Sequence, residues 1–393
     1  MKERKKVKIE NRFSPQLSKI QVSGIRQFDD KVAEIPNIIK LTLGEPDFYT
    51  PSHIKSSGIQ AIEENFTHYT SMSGIEDLRT AVAYFQKEKY GLSYNPENEI
   101  LVTVGATEAI AASLLAILEE GDKVLLPAPI YSGYEPLVTL AGAENIFIDT
   151  SKTNFKLTPR LIQEVMKAHG ESVKAIILNY PSNPTGVTYS KEEVESLAKE
   201  LGKYPIFVLS DEIYAELTYE AKHISIANYL PEQTILITGL SKSHAMTGWR
   251  IGFILTNAVI CDQIKKVHQY LVTAASTISQ KAAVTALVDG FHDADTMREE
   301  YQKRRDFVFE QMIKAGFEVT LPSGAFYVFA KIPAYFEENS FDFCLRLAQE
   351  KQVALIPGSA FGEAGEGYVR ISYAASMENL QTAMKRINEF TSH

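Results

Sequence analysis

Between residues 100 and 255 the chain alternates short apolar runs with stretches of helical periodicity, and no other feature constrains its fold as much. The runs are Ile100-Leu101-Val102-Thr103-Val104, Val124-Leu125-Leu126-Pro127, Ile146-Phe147-Ile148, Val173-Lys174-Ala175-Ile176-Ile177-Leu178, Ile206-Phe207-Val208-Leu209, Ile235-Leu236-Ile237 and Ile251-Gly252-Phe253-Ile254-Leu255. Helix-like segments separate them, among them Thr107 to Glu119 and Lys191 to Leu201. Strands this apolar need cover on both faces, which a mostly parallel sheet between helical layers provides. The expectation is an α/β fold with a large domain built on a mostly parallel, seven-stranded sheet.

Beyond Val267 the texture changes to longer helical patterns, Thr277 to Val288 and Thr296 to Ala315, followed by the strand-like Phe326-Tyr327-Val328-Phe329 and Tyr368-Val369-Arg370-Ile371-Ser372. These predict a second, smaller α+β domain. The expected division is residues 1–45 as an N-terminal arm and part of the small domain, 46–280 as the large domain, and 281–393 as the small C-terminal domain. No repeat or long Pro/Gly/Ser linker interrupts the chain.

Composition narrows the functional classes. The 393 residues carry 40 Lys and Arg against 49 Asp and Glu, a net charge of −9. That balance offers no long-range attraction for a phosphate backbone, so nucleic acid is not an expected partner. The basic residues Lys2, Arg4, Lys5, Lys6 and Lys8 read as a solvated arm. Ile9-Glu10-Asn11-Arg12 follows them in place of the apolar run of a secretory signal, and no stretch approaches the roughly 18 apolar residues of a membrane span. Cys261 and Cys344, the two cysteines, stand in neither a CxxC nor a zinc spacing. A soluble, cytoplasmic chain without membrane contact, structural disulfide or metal site is expected.

In an open α/β sheet functional residues collect at the carboxyl ends of the strands. The first run ends in Gly105-Ala106-Thr107 and enters a helix, which presents free backbone N–H groups and a hydroxyl to an anion such as phosphate. An ordinary turn with a Thr cap is the bland alternative. The second run leads to Tyr131, an aromatic ring near the same edge. After the fourth run comes Asn179-Tyr180-Pro181-Ser182-Asn183-Pro184-Thr185-Gly186, a turn whose prolines and glycine fix the backbone around Asn183. Asp211 follows the fifth run inside Ser210-Asp211-Glu212-Ile213-Tyr214. A carboxylate at that depth requires a cationic partner, either a ligand or an ordinary Arg or Lys. The sixth run ends in Gly239-Leu240-Ser241-Lys242, where shielding lowers an amine's pKa towards the neutral form that imine chemistry needs. Arg250 lies eight residues on, in Thr247-Gly248-Trp249-Arg250-Ile251-Gly252, and can complete a phosphate cradle. Phosphate donors, a stacking ring, polar groups from Asn183 and Tyr214, a buried carboxylate and an amine are together the requirements of pyridoxal 5'-phosphate.

These motifs, in this order and ending with Tyr368-Val369-Arg370-Ile371-Ser372, resemble the class I aminotransferases of pyridoxal-phosphate fold type I. The resemblance runs from Leu43-Gly44-Glu45-Pro46-Asp47-Phe48 to the C-terminus. It implies that Lys242 forms the cofactor aldimine and then shuttles the substrate proton, that Asp211 keeps the pyridine nitrogen protonated, and that Asn183 and Tyr214 hydrogen-bond the phenolate. It further implies that Tyr131 stacks on the ring and that Gly105, Ala106, Thr107, Ser241 and Arg250 hold the phosphate. Arg370 would fork onto the substrate α-carboxylate, aided by Gly44 and Asn183. Tyr69, in His68-Tyr69-Thr70, matches a tyrosine that reaches the neighbouring subunit's phosphate, so a homodimer is implied.

Two positions depart from the family's pattern. Gly239 stands where many members carry a phosphate-binding Ser, with Thr238 as a candidate replacement. Thr107 stands where some aspartate-using relatives carry Lys, which argues against a dedicated aspartate enzyme. The stretches Leu41 to Pro51, Ile177 to Tyr189, Gly239 to Gly252 and Ser23-Gly24-Ile25-Arg26-Gln27-Phe28 are most similar to Firmicute enzymes described as aromatic amino-acid or N-acetyl-diaminopimelate aminotransferases. The first expectation is an aromatic donor with 2-oxoglutarate as acceptor in a ping-pong cycle, with Ile20, Ile25, Tyr131 and Phe361 as walls of an apolar slot. The alternatives are the acetylated diaminopimelate of lysine biosynthesis and a carbon–sulfur β-lyase on the same fold. A cofactor-binding regulator has little room for a DNA-binding region. No GxxxxGK[ST], HExxH or GxSxG motif is present. His244 follows Lys242 closely enough to touch the site or to be merely structural.

Overall fold

Residues 12–392 are described by the computed structural model; Lys2, Arg4, Lys5, Lys6 and Lys8 lie outside the described residues. The seven apolar runs form one seven-stranded sheet. Its spatial order is Ile100–Thr103, Gly252–Leu255, Thr234–Gly239, Phe207–Asp211, Val173–Asn179, Lys123–Ala128 and Glu144–Asp149. Gly252–Leu255 runs antiparallel to both neighbours, and every other pairing is parallel. Side chains alternate between two packed layers, as the period of two requires. Ala175 and Ile177 join one core with Leu101, Leu126 and Ile254, whereas Ile176 and Leu178 join another with Leu125 and Val208. Burial on both faces accounts for the near-continuous apolar runs.

Helices start and stop where their ends are satisfied. Lys191–Leu201 begins in a capping box: the Ser190 hydroxyl accepts from Glu193 N–H, and the Glu193 carboxylate accepts from Ser190 N–H. Glu76–Tyr90 ends at Gly91, whose φ of 70° suits glycine.

A four-stranded sheet follows in the order Ile356–Pro357, Tyr368–Ser372, Tyr327–Lys331, Glu318–Val319, antiparallel throughout. The N-terminal strand Ile39–Lys40 pairs in parallel with Val353–Ala354. Phe28, Val32 and Leu41 share a core with Tyr327, Ile371 and Ile387, so the two ends of the chain are packed together. The helix Thr277–Val288 spans the expected boundary at 280, and its Ala282, Ala283, Ala286 and Leu287 pack with Leu236 and Phe253 of the large sheet. No helix among the described residues is long and apolar enough to cross a membrane.

Candidate active site

A cleft of about 450 Å³ opens where the carboxyl ends of the parallel strands meet the N-terminal segment and the smaller sheet. Lys242, Asp211, Tyr214, Asn183, Tyr131 and Ser241 line it, as do Ala106, Thr107, Arg250, Gly44 and Arg370. Residues as distant in sequence as Gly44 and Arg370 are thus brought together.

The anion-binding end is built from backbone. The helix Gly105–Ile117 starts at the strand end, and the first N–H groups of a helix have no intrahelical acceptor. Glu108 uses Oε2 to accept Val104 N–H at 3.1 Å, and the cleft is left to Ala106 and Thr107. Arg250 adopts a left-handed backbone, φ 55°, and its Nη1 donates to Thr247 O at 3.0 Å. Its Nη2 would stand 2.6 Å from any Cβ on Gly105. A guanidinium against a helix N-terminus puts two positive ends together, an arrangement that an anion relieves.

At the other end of the cleft Asp211 is 5% exposed. Its Oδ2 accepts from the Tyr134 hydroxyl at 2.6 Å and its Oδ1 from Ile213 N–H at 3.2 Å. Burial pushes its pKa up to about 6, against the lowering effect of those two donors. Behind it, Glu212 accepts from Ser210 and Ser225 and faces His223 Nε2 at 2.6 Å. Asn179 donates to Asp211 O at 3.1 Å and accepts Asn183 N–H at 2.9 Å, which ties two strand ends together.

Between these ends lies Lys242, whose Nζ donates to Gly44 O at 2.5 Å. Burial lowers its pKa to about 8; Glu45 and Asp211 oppose that shift and Arg250 and Arg370 add to it. At pH 7 about a tenth of the amine is therefore neutral, far more than for an ordinary lysine. Arg370 is 1% exposed, donates from Nη1 to Asn183 Oδ1 at 2.8 Å and from Nη2 to Thr42 O at 2.6 Å, and stacks on Tyr327 and Phe361. Its Nε is buried without a partner among the described residues. Tyr214 OH lies 2.7 Å from Tyr327 OH, and Tyr131 meets Tyr134 edge to face at 5.4 Å.

Some expected residues lie elsewhere. Tyr69, which the resemblance assigns to a neighbouring subunit's site and not to this one, is 88% exposed and outside the cleft. Phe361 is buried behind Arg370, and neither it nor Ile20 lines the cleft, so the expected apolar slot keeps only Ile25 and Tyr131 of its four walls. Thr238 lines a separate small cavity with Glu216 and cannot serve the anion site; Thr247 stands in the main cleft instead. Gly239 has no room for a Ser, because a Cβ there would lie 2.8 Å from Ile251 O. His244 is fully buried between the Ser243 hydroxyl and Gly290 O, away from the cleft. Tyr134, Tyr327, Asn179 and Arg26 were not singled out from sequence. Tyr134, three residues after Tyr131, carried the one local signal that could have found it.

A buried amine, a buried carboxylate, a helix N-terminus with an arginine, and a forked arginine for a carboxylate define a pyridoxal-phosphate enzyme acting on amino acids. The family Aminotransferase class I and II matches residues 36–387. A probable N-acetyl-LL-diaminopimelate aminotransferase of Bacillus subtilis is 49% identical over 97% of this chain and 96% of its own. The aromatic-amino-acid aminotransferase 2 of Thermococcus litoralis is 37% identical over 96% and 97%. The solved aspartate aminotransferase of Thermus thermophilus with maleate superposes with a TM-score of 0.90 at 34% identity, covering 96% of this chain and 99% of that one. The chain belongs to the class I and II aminotransferases and is a pyridoxal-phosphate-dependent enzyme.

Proposed function

We propose that this aminotransferase takes its amino group from an acyl-blocked diamino dicarboxylic acid of the N-acetyl-diaminopimelate type and passes it to 2-oxoglutarate in a ping-pong cycle. The observation that carries this reading is the outer wall of the cleft, where Ser23, Arg26, Asp29 and Thr42 stand with Ile25. A long polar substrate fits that wall better than an aromatic ring does. The 49% identity to the Bacillus subtilis relative supports the same choice. An aromatic donor is the second reading, favoured by Ile25 beside Tyr131 and by the Thermococcus litoralis relative.

In this proposal pyridoxal phosphate, when bound, supplies an aldehyde that condenses with amines and a ring that accepts the electron pair of the substrate Cα. Lys242 would anchor it and, once released, would carry the proton taken from the substrate Cα to the carbon that entered as the aldehyde. Asp211 would hold a proton on the ring nitrogen, Asn183 and Tyr214 would hydrogen-bond the ring oxygen, and Tyr131 would cover the ring. Gly105, Ala106, Thr107, Ser241 and Arg250 would hold its phosphate. Arg370, with Gly44 and Asn183, would orient the α-carboxylate and so present the Cα–H bond to Lys242. We assign Tyr69 to a partner subunit's site in a homodimer, and the small domain to both chain ends, with its boundary after residue 288. A cytoplasmic location fits these substrates.

The test is a panel of donors against 2-oxoglutarate: N-acetyl-diaminopimelate, Phe, Tyr, Asp and Lys. N-acetyl-diaminopimelate should give the highest kcat/KM. A higher value for Phe or Tyr would establish the aromatic reading, and ammonia and pyruvate from cystathionine without an acceptor would establish a lyase.

A further inference from the structure

Tyr214 and Tyr327 line the cleft side by side, and the function proposed above uses only Tyr214. Their hydroxyl oxygens lie 2.7 Å apart, and among the described residues neither has a second hydrogen-bond partner. Burial raises the pKa of both, so each oxygen keeps its proton at neutral pH. Two hydroxyls that share one hydrogen bond have one proton over: one oxygen donates to its neighbour, and the neighbour's own proton is free for another acceptor.

Tyr327 is held so that it cannot turn away from this bond. Its side chain is fully buried, with the Arg370 guanidinium 4.5 Å from its ring centroid and the rings of Phe326 and Tyr214 at 4.8 Å and 5.8 Å. A Cβ on Gly44 would come within 2.6 Å of the Tyr327 hydroxyl oxygen, so the N-terminal segment closes over that group. The Tyr327 backbone oxygen would likewise lie 2.7 Å from a Cβ on Gly186, at the end of the turn that carries Asn183. Both approaches fix the tyrosine from outside its own strand.

We propose that Tyr327 is a positioning residue whose hydroxyl donates to Tyr214 and so turns the Tyr214 proton towards the ring oxygen of the cofactor. The assignment rests on the role given to Tyr214 above. Its direction follows from the chemistry of the acceptor. An ionised ring oxygen can only accept, so Tyr214 gives it the single proton it has and is left to accept from Tyr327. Asn183, the other group assigned to that oxygen, is set from behind in the same way: its Oδ1 accepts from Arg370 Nη1 at 2.8 Å, which leaves its amide N–H groups to donate. Hydrogen bonds in series polarise one another, so the Tyr327 proton makes Tyr214 the stronger donor. A stronger donor draws electron density from the ring oxygen and weakens the hold on a proton at the nitrogen that joins Lys242 to the cofactor.

The test follows the visible absorbance of the cofactor-loaded enzyme against pH, whose midpoint marks loss of the proton from that nitrogen. Tyr327→Phe keeps the ring beneath Arg370 and removes only the hydroxyl. Its midpoint should rise by about half a pH unit, roughly threefold in the proton equilibrium, the scale of one cooperative hydrogen bond. Tyr214→Phe should move the midpoint further in the same direction. Adding Tyr327→Phe to Tyr214→Phe should then move it no more, because the first hydroxyl acts through the second. An unchanged midpoint in Tyr327→Phe while Tyr214→Phe shifts it, or full additivity in the double variant, overturns the proposal and leaves the role of Tyr214 standing. An unchanged midpoint in Tyr214→Phe would instead remove the role given to Tyr214, and the proposal with it.

Discussion

The hydroxyl of Tyr134 donates to Asp211 Oδ2 at 2.6 Å, and among the described residues it is the one side-chain donor to that buried carboxylate. Burial, then Asp211 itself, raises the Tyr134 pKa well above its ordinary value, so the hydroxyl keeps its proton across the working range. Because this bond lowers the Asp211 pKa, its removal favours the neutral acid, which cannot pair with a protonated ring nitrogen. Tyr134→Phe should therefore weaken pyridoxal-phosphate binding about tenfold or more and move the acidic limb of the pH–rate profile upward. Cofactor titration and the pH profile check both.

Lys242→Ala should abolish activity and the visible absorbance of the cofactor-loaded protein. Retention of either would refute the role assigned to the amine.

The same lysine predicts a pH-dependent stability in the cofactor-free protein. Its folded pKa of about 8 lies below the unfolded value of 10.5, so between the two the unfolded chain binds the proton more tightly. The cost of burying the ammonium is full below about pH 8 and disappears as pH rises towards 10.5. Lys242→Met should stabilise the cofactor-free protein at pH 7, on the order of 1 kcal/mol for each pK unit of depression, and the gain should vanish near pH 10. Urea unfolding of both proteins across that range measures it.

Arg370→Ala should raise the KM for amino-acid substrates sharply, by roughly 2–5 kcal/mol of lost charge-pair binding, with the cofactor retained. Loss of the cofactor instead would show that the arginine serves the other end of the cleft.

Gly239→Ser would restore the residue many relatives carry, yet it should cost about 1–3 kcal/mol of stability without tightening phosphate binding. The added Cβ meets Ile251 O at 2.8 Å and Gly252 Cα at 3.0 Å, and both are backbone atoms that cannot swing away. Thermal unfolding and phosphate competition separate the two effects.

Much of the site was legible because its pieces lie at strand ends, where local sequence marks both the strand and the turn that follows. Gly105, Asn183, Asp211 and Lys242 each follow an apolar run, and all seven runs are strands of one sheet. Tyr327 was harder to read, because within Phe326-Tyr327-Val328-Phe329 it looks like any core aromatic. Its hydroxyl reaches Tyr214 only because the two sheets pack across 113 residues of chain.

By itself the sequence determined the fold class, the cofactor chemistry and the order of the residues that serve it, because those depend on periodicity and on short motifs. Tertiary structure decided what surrounds the substrate's far end. It buried Phe361 behind Arg370, kept Ile20 out of the cleft and set Arg26 at its wall. That wall is built where the N-terminal helix packs against the C-terminal core, and contacts between chain ends leave no trace in local sequence.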